Sequence, residues 1–261
     1  EEPHPGLGGI NRLAGHRLSA TRFLADSRGP PSWFAGKLIL DAGCGAGRFA
    51  DIAAGLGARV VAVDLSTAVD ACRETTAVHG GRVTCIQASL FDLPLRAAVF
   101  DGLYCMGVIQ HAPDPERLIA GLPVYLKPGG RLAYNFYEEG LWRRLQVFKY
   151  GLRLITPHLP VAATLALSRF LVAAFFPLTR TLSAVPKVRI LNHFIPIAAV
   201  HHPSLSREQQ YAWTLLDTFD WYGARYEKRQ NHRRVMDILR RAGLEGVEGQ
   251  AGLTTGRRPG K

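Results

Sequence analysis

The run LILDAGCGAGRFA, residues 38–50, limits what this chain can fold into more than any other segment. A short apolar stretch breaks into three glycines, Gly43, Gly45 and Gly47, and a helical pattern follows at once. A strand, a tight turn and a helix open a βαβ unit, and repeated units of this kind build a parallel sheet with covered faces. Glycine suits the turn because it reaches positive φ at little cost and lets another molecule approach the backbone. In such sheets ligands bind beyond the carboxyl ends of the strands, where strand order reverses.

The same rhythm continues to residue 137. Strands are predicted over Lys37–Asp41, Arg59–Asp64, Arg82–Ala88, Phe100–Met106 and Arg131–Tyr137. Helices are predicted over Arg48–Leu56, after Ser66, and over Glu116–Leu126, where Pro123 must kink or shorten the last one. Lys127-Pro128-Gly129-Gly130 reads as a turn, and a short helix is expected around residues 16–26. Residues 139–203 are apolar, Pro-punctuated and nearly free of acids, and read as several helices at one end of the sheet. Ser206 with Gln209 forms a capping-box signature for a helix to about Leu216. Asn231 can cap another, with Val235, Ile238, Leu239 and Ala242 on one face and Gly243 behind it. Residues 245–256 fit a short hairpin. The expected fold is α/β: a Rossmann-like, doubly wound, mostly parallel sheet with an inserted helical lid. Its expected parts are an N-terminal helical or irregular segment (1–36), a core (37–138), the apolar lid (139–203) and the C-terminal part of the core (204–261).

A chain of 261 residues suits one domain with an insertion. The net charge of +11 admits nucleic acid, an anionic membrane surface or an acidic substrate as partners. The arginines are spread out, however, in short pairs such as Arg143-Arg144 and Arg240-Arg241, without a long basic block. Cys44, Cys72, Cys85 and Cys105 show no metal-ligand spacing and read as reduced thiols of a cytoplasmic protein, with no metal expected. No signal peptide is visible behind Glu1. In the most apolar region, 154–185, Arg169, Pro177 and Arg180 interrupt the run before about 18 apolar residues accumulate, so a spanning helix is not expected.

A dinucleotide site would carry G-x-G-x-x-G. The turn here is Gly43-Cys44-Gly45-Ala46-Gly47, with Asp41 just before it and Asp64 closing the second strand. An acid beside a pyrophosphate is unfavourable, whereas beside a positively charged ligand it is welcome. Asp64 is placed to accept both hydroxyls of a ribose.

Five segments in this order, LDAGCGAGRFA (40–50), VVAVDLS (60–66), LFDLPL (90–95), FDGLYCMGVIQHAPDP (100–115) and LKPGGRLAYNFY (126–137), resemble the class I S-adenosylmethionine-dependent methyltransferases of the small-molecule type. A weaker likeness runs through DTFDWYGARYEKRQNH (217–232) and RRAGLEGVE (240–248). The resemblance implies that S-adenosylmethionine is the cofactor and S-adenosylhomocysteine the product. It implies that Asp41 and the loop of Gly43, Cys44, Gly45 and Gly47 hold the methionine part. Asp64 would bind the ribose, Leu65 and Leu90 or Phe91 would border the adenine, and Met106 with Gly107 would line the floor near the sulfonium. One position departs from the pattern: where the family usually has an acid for the adenine amino group, this chain has Ser89, with Asp92 nearby.

Methyl transfer needs the acceptor held close and in line, with a base where the acceptor carries a proton. His111, at the mouth of the expected site, is the first candidate, and its side-chain type titrates near neutrality. Tyr137 and Tyr222 are the other catalytic candidates, the latter within the Asp217–Tyr222 cluster; Gln110 is not read as a base. The expected activity is methyl transfer to O, N or C of a small, partly apolar molecule: a natural-product, lipid or sugar-conjugate intermediate. The alternatives are a cofactor-binding partner subunit without catalysis and an RNA methyltransferase. The second is disfavoured because no Asn-Pro-Pro-Tyr motif or nucleic-acid module is visible, so no nucleic-acid partner is expected. Peripheral membrane contact and homodimerisation through the apolar lid remain open for residues 139–203.

Overall fold

The computed structural model describes residues 16–140 and 146–260. Two compact units emerge: one from Arg17–Glu138 and Lys228–Lys261, the other from Glu139–Glu227.

The first unit holds a seven-stranded sheet. Its strands are β1 (Leu38–Ala42), β2 (Arg59–Asp64), β3 (Val83–Gln87), β4 (Phe100–Met106), β5 (Leu126–Asn135), β6 (Glu245–Gln250) and β7 (Leu253–Arg257). They lie in the order β3-β2-β1-β4-β5-β7-β6. β1 to β5 are parallel, and the β6–β7 hairpin adds itself antiparallel to β5. Strand order therefore reverses between β1 and β4, and both point their carboxyl ends to one edge. The helices are α1 (His16–Ser27), α2 (Arg48–Gly55), α3 (Ala68–Thr76), α4 (Pro115–Gly121) and, after the second unit's three helices, α8 (His232–Arg241).

Successive strand residues face opposite sides. Leu40, Leu103, Cys105 and Leu132 pack with Leu118, Ile119, Val235 and Leu239 in one cluster. Ile39, Val60, Ala62, Tyr104 and Ala133 pack with Phe23, Phe34, Ala50 and Ala53 in the other. Burial on both faces is why these parallel strands read as near-continuous apolar runs.

The expected boundaries of β2 and β4 coincide with the observed ones. Lys127–Gly130 differs from expectation: it lies inside β5 as an irregularity, with Gly129 at φ 76 and its N–H donating to Arg258 O at 3.0 Å. Pro115–Gly121 is α-helical, and Pro123 starts a 3-10 turn instead of continuing it. Asn231 caps α8 by accepting from Arg233 N–H, and Gly243 follows at φ 82.

The second unit carries α5 (Val147–Leu152), α6 (Val161–Ala184) and α7 (Arg207–Gly223). Ser206 and Gln209 make the expected reciprocal capping box on α7. The unit extends past 203 to Glu227, so α7 packs on α6 and not within the first unit. The capping box determines where that helix starts; it carries no information about which unit the helix joins. Arg169, Pro177 and Arg180 all lie within the continuous helix α6. One helix here, α6, is long and apolar enough by length and composition to cross a membrane.

The second unit is pinned internally by a buried ion pair. Lys149 Nζ lies 2.7 Å from Glu227 Oε2, with side chains 1% and 2% exposed, and 4.3 Å from the Trp221 ring centroid. Arg153 reinforces the same end through the Ala224 carbonyl at 3.0 Å.

Candidate active site

The glycine loop leaves β1 and is fastened to β2 from the first residue. Gly43 N–H and Cys44 N–H both donate to Val63 O, at 2.7 and 2.9 Å. Gly45 N–H donates to Asp64 Oδ2 at 2.8 Å, while Asp64 Oδ1 accepts from the backbone and hydroxyl of Ser66 at 2.9 and 2.7 Å. The acid ending β2 thus shapes the loop that ends β1. Gly43 has φ 88, and a Cβ there would meet Val108 Cγ2 at 2.3 Å, so only glycine lets the loop pack on the β4 exit. Gly45 is different: a Cβ there would meet nothing within 4 Å. Its bare backbone borders open space at the carboxyl end of the sheet.

Under this loop lies Asp41. It is 1% exposed, and neither carboxylate oxygen has a hydrogen-bond partner. Burial first, and then the Asp64 carboxylate, push its pKa well above the usual carboxylate range. The buried Tyr104 hydroxyl lies next to it and lowers its pKa somewhat, without closing a hydrogen bond of normal geometry. An orphaned, dehydrated carboxylate is expensive unless a positive group compensates it. A ligand with a cationic amino group or sulfonium at the loop fits this donor-poor acid; a pyrophosphate would add a third negative charge.

The remaining cofactor candidates lie around the same edge. Leu65, next to Asp64, is 70% exposed, an apolar side chain at the mouth of the site. Leu90 is half-buried against the core beneath it. Ser89 Oγ accepts from Phe91 N–H at 3.2 Å, which orders the turn after β3 and leaves the hydroxyl proton for another acceptor. Met106 is buried at the end of β4. Gly107 after it has φ 74, and a Cβ there would meet nothing within 4 Å. Cys44 is buried, its thiol pushed up in pKa; all four cysteines are free thiols.

His111 and Tyr137 come together. Their ring centroids are 5.7 Å apart in an edge-on arrangement. Both depend on Gln110, which is fully buried: its Nε2 donates to Gly107 O at 2.6 Å and its Oε1 accepts from Tyr137 N–H at 3.3 Å. Its carbonyl accepts from Lys228 N–H at 2.7 Å, which draws the returning chain alongside β5. That return places Arg229 over the Tyr137 ring at 5.5 Å, a residue that the sequence does not single out. Nothing local in ARYEKRQNH signals it, because the contact exists only once Gln230 pairs with Tyr137 and Glu138 beyond the end of β5. Glu138 anchors the same strand end, accepting from His232 Nδ1 at 3.0 Å and Gly252 N–H at 2.8 Å.

Tyr222 belongs to the second unit, is fully buried, and donates its hydroxyl to Pro196 O at 2.8 Å. Burial raises its pKa.

Residues 40–134 match the family model described as a methyltransferase domain. A ubiquinone biosynthesis O-methyltransferase of Xanthomonas axonopodis is 39% identical over 100 residues, 38% of this chain and 42% of that protein. The mitochondrial enzyme of the same description from Schizosaccharomyces pombe is 34% identical over 136 residues, 50% of this chain and 49% of that protein. The match thus spans less than half the length of these relatives. Among solved structures, an O-methyltransferase family protein from Burkholderia thailandensis superposes with a TM-score of 0.55 at 18% identity, covering 96% of this chain and 59% of that one. A 1,6-didemethyltoxoflavin N1-methyltransferase from the same organism gives 0.51 at 18% identity, covering 98% and 83%. Residues 40–134 match a methyltransferase domain, and the chain shares the Rossmann-like fold of these solved methyltransferase structures.

Proposed function

We propose that this chain binds S-adenosylmethionine at the glycine loop and transfers its methyl group to a small, partly apolar acceptor. The observation that carries the reading is Asp41, a buried carboxylate without a partner under a loop that is open at Gly45. It suits the cationic end of this cofactor. When bound, the cofactor supplies a methyl carbon made electrophilic by a sulfonium.

The chain's own residues would do the rest. Asp41 and the backbone of Gly43, Cys44, Gly45 and Gly47 would hold the methionine part. Asp64 would accept the ribose hydroxyls while keeping the loop in shape. Leu65 and Leu90 would flank the adenine, Ser89 would meet its edge, and Met106 would close the floor. His111, within reach of the carboxyl end of β4, would take the acceptor's proton, and Tyr137 would orient the acceptor. Arg229 would hold the Tyr137 ring in place. The matched relatives are named for O-methylation in ubiquinone biosynthesis and N-methylation of a toxoflavin precursor. They support an acceptor that is a small ring compound, with oxygen as the first atom to test.

The experiment is a transfer assay with methyl-labelled cofactor and a panel of phenols, catechols and ring amines, some bearing apolar tails. Label in an acceptor, lost on His111→Ala, supports the reading. Tight cofactor binding with no transfer to any class would turn it towards a non-catalytic partner subunit.

A further inference from the structure

The helix α6 is apolar on its exposed side as well as on its buried one, where Leu165, Leu171, Val172 and Phe176 pack. Its buried side carries the hydroxyls of Thr164, Ser168 and Thr179, each 0–1% exposed. They donate to backbone carbonyls at 3.3, 2.8 and 3.1 Å. Its solvent side is apolar: Ala166, Phe170, Ala173, Ala174 and Leu178 are exposed and fall on one stripe at helical spacing. Phe170 is 67% exposed, and just before the helix Leu154 and Ile155 are 79% and 63% exposed. Water does not favour this arrangement, and an apolar medium does.

Charge identifies the medium. Between residues 140 and 207 there are nine Lys or Arg and no Asp or Glu, and of the nine Lys149 and Arg153 are turned inward to Glu227 and the Ala224 carbonyl. Arg169 and Arg180 are exposed along one edge of the apolar stripe, and Lys187, Arg189 and Arg207 are exposed beyond it. We propose that this face of the second unit docks on an anionic lipid bilayer, with α6 lying in the interface. The apolar stripe enters the headgroup–acyl boundary, and the arginines on its edge reach back to lipid phosphates. A second copy is a poorer occupant, because it would set one acid-free, cationic face against another. The helix lies on the bilayer and does not cross it: its other face is packed on α7, which carries Glu208, Asp217 and Asp220. The proposal stands apart from the catalytic reading.

Vesicle co-sedimentation of the full chain tests it, with phosphatidylcholine alone and with phosphatidylcholine mixed with phosphatidylglycerol, at low and high salt. Circular dichroism of the same sample shows that the chain is folded whether or not it takes up the cofactor, which keeps the two proposals separable. Binding is expected on the anionic vesicles, weakening with salt. Phe170→Glu/Leu178→Glu, both at exposed positions, should lower it about tenfold or more, and Arg169→Glu/Arg180→Glu should do so most at low salt. A folded wild type left in the supernatant overturns the proposal, as does unaltered binding by the Glu pair. Equal, salt-independent binding to neutral vesicles would remove the role of the cations. A dimer that Phe170→Glu dissociates, with no vesicle binding, would assign the face to a second copy.

Discussion

Replacing Asp41 by asparagine separates stability from function in one substitution. In the unliganded fold the carboxylate is 1% exposed, has no hydrogen-bond partner and faces Asp64. Its folded pKa lies above its unfolded one, so protonation favours the folded state. Below the unfolded pKa the group has no effect, and as pH rises through the folded pKa its ionisation costs stability. At neutral pH Asp41 therefore destabilises the empty site. Asp41→Asn keeps the shape and removes the titration, for a gain of about 1.4 kcal/mol for each pH unit that separates the solution from the unfolded pKa, up to the folded one. For a chain of this size each kcal/mol raises Tm by about 2–4 °C. The same change should weaken cofactor binding by about 1.5–3 kcal/mol, the value of a hydrogen bond to a charged group, or roughly 10- to 100-fold. Scanning calorimetry without ligand and titration calorimetry with ligand read the two effects. In wild type, binding should release a proton from Asp41, so affinity should rise with pH above the usual carboxylate range; the variant should lose this dependence. A variant that is less stable when empty and binds as tightly as wild type would refute the role assigned to this carboxylate.

Two neighbouring glycines should respond oppositely. Gly43→Ala forces a Cβ to within 2.3 Å of Val108 Cγ2 at φ 88, and should cost about 2–4 kcal/mol of stability from overpacking and left-handed strain, read by denaturant unfolding. Gly45→Ala, at φ 50 with open space beside it, should cost only about 1–2 kcal/mol but weaken the cofactor by filling its side of the loop. His111→Ala should lower kcat about 100-fold or more with little change in KM; an unchanged kcat would leave His111 as a loop residue. In the second unit, Lys149→Met strands a buried Glu227 and should destabilise by about 3–5 kcal/mol without changing cofactor affinity.

What the sequence discloses depends on how local the cause is. β2 and β4 are readable to the residue because two-sided burial demands unbroken apolar runs between turn signals. The α7 capping box and the Asn231 cap are legible because both partners lie within three residues. Pro177 is a weaker signal than it reads: the surrounding turns of α6 hold, so one missing donor does not end a helix of 24 residues. At Lys127–Gly130 the turn signal was real but served an irregular strand, since the partner that captures Gly129 lies at the far terminus, Arg258. The cofactor loop was visible as a pattern of glycines and acids. The isolation of Asp41 was not, because the absence of a partner is a property of the packed site. Tyr222 looked chemical beside Asp220 and Trp221, but the Pro196 carbonyl that claims its hydroxyl is 26 residues away. Arg229 reaches Tyr137 only through the pairing of Gln230 with Tyr137 and Glu138 beyond the end of β5.

The most direct test of the central claim is calorimetric titration of the wild-type chain with S-adenosylmethionine and with S-adenosylhomocysteine, repeated on Asp64→Ala. The account predicts micromolar binding of both, with one site per chain, lost or strongly weakened in the variant because the ribose acceptor and the Gly45 anchor go together. A folded wild type that takes up neither ligand would contradict it.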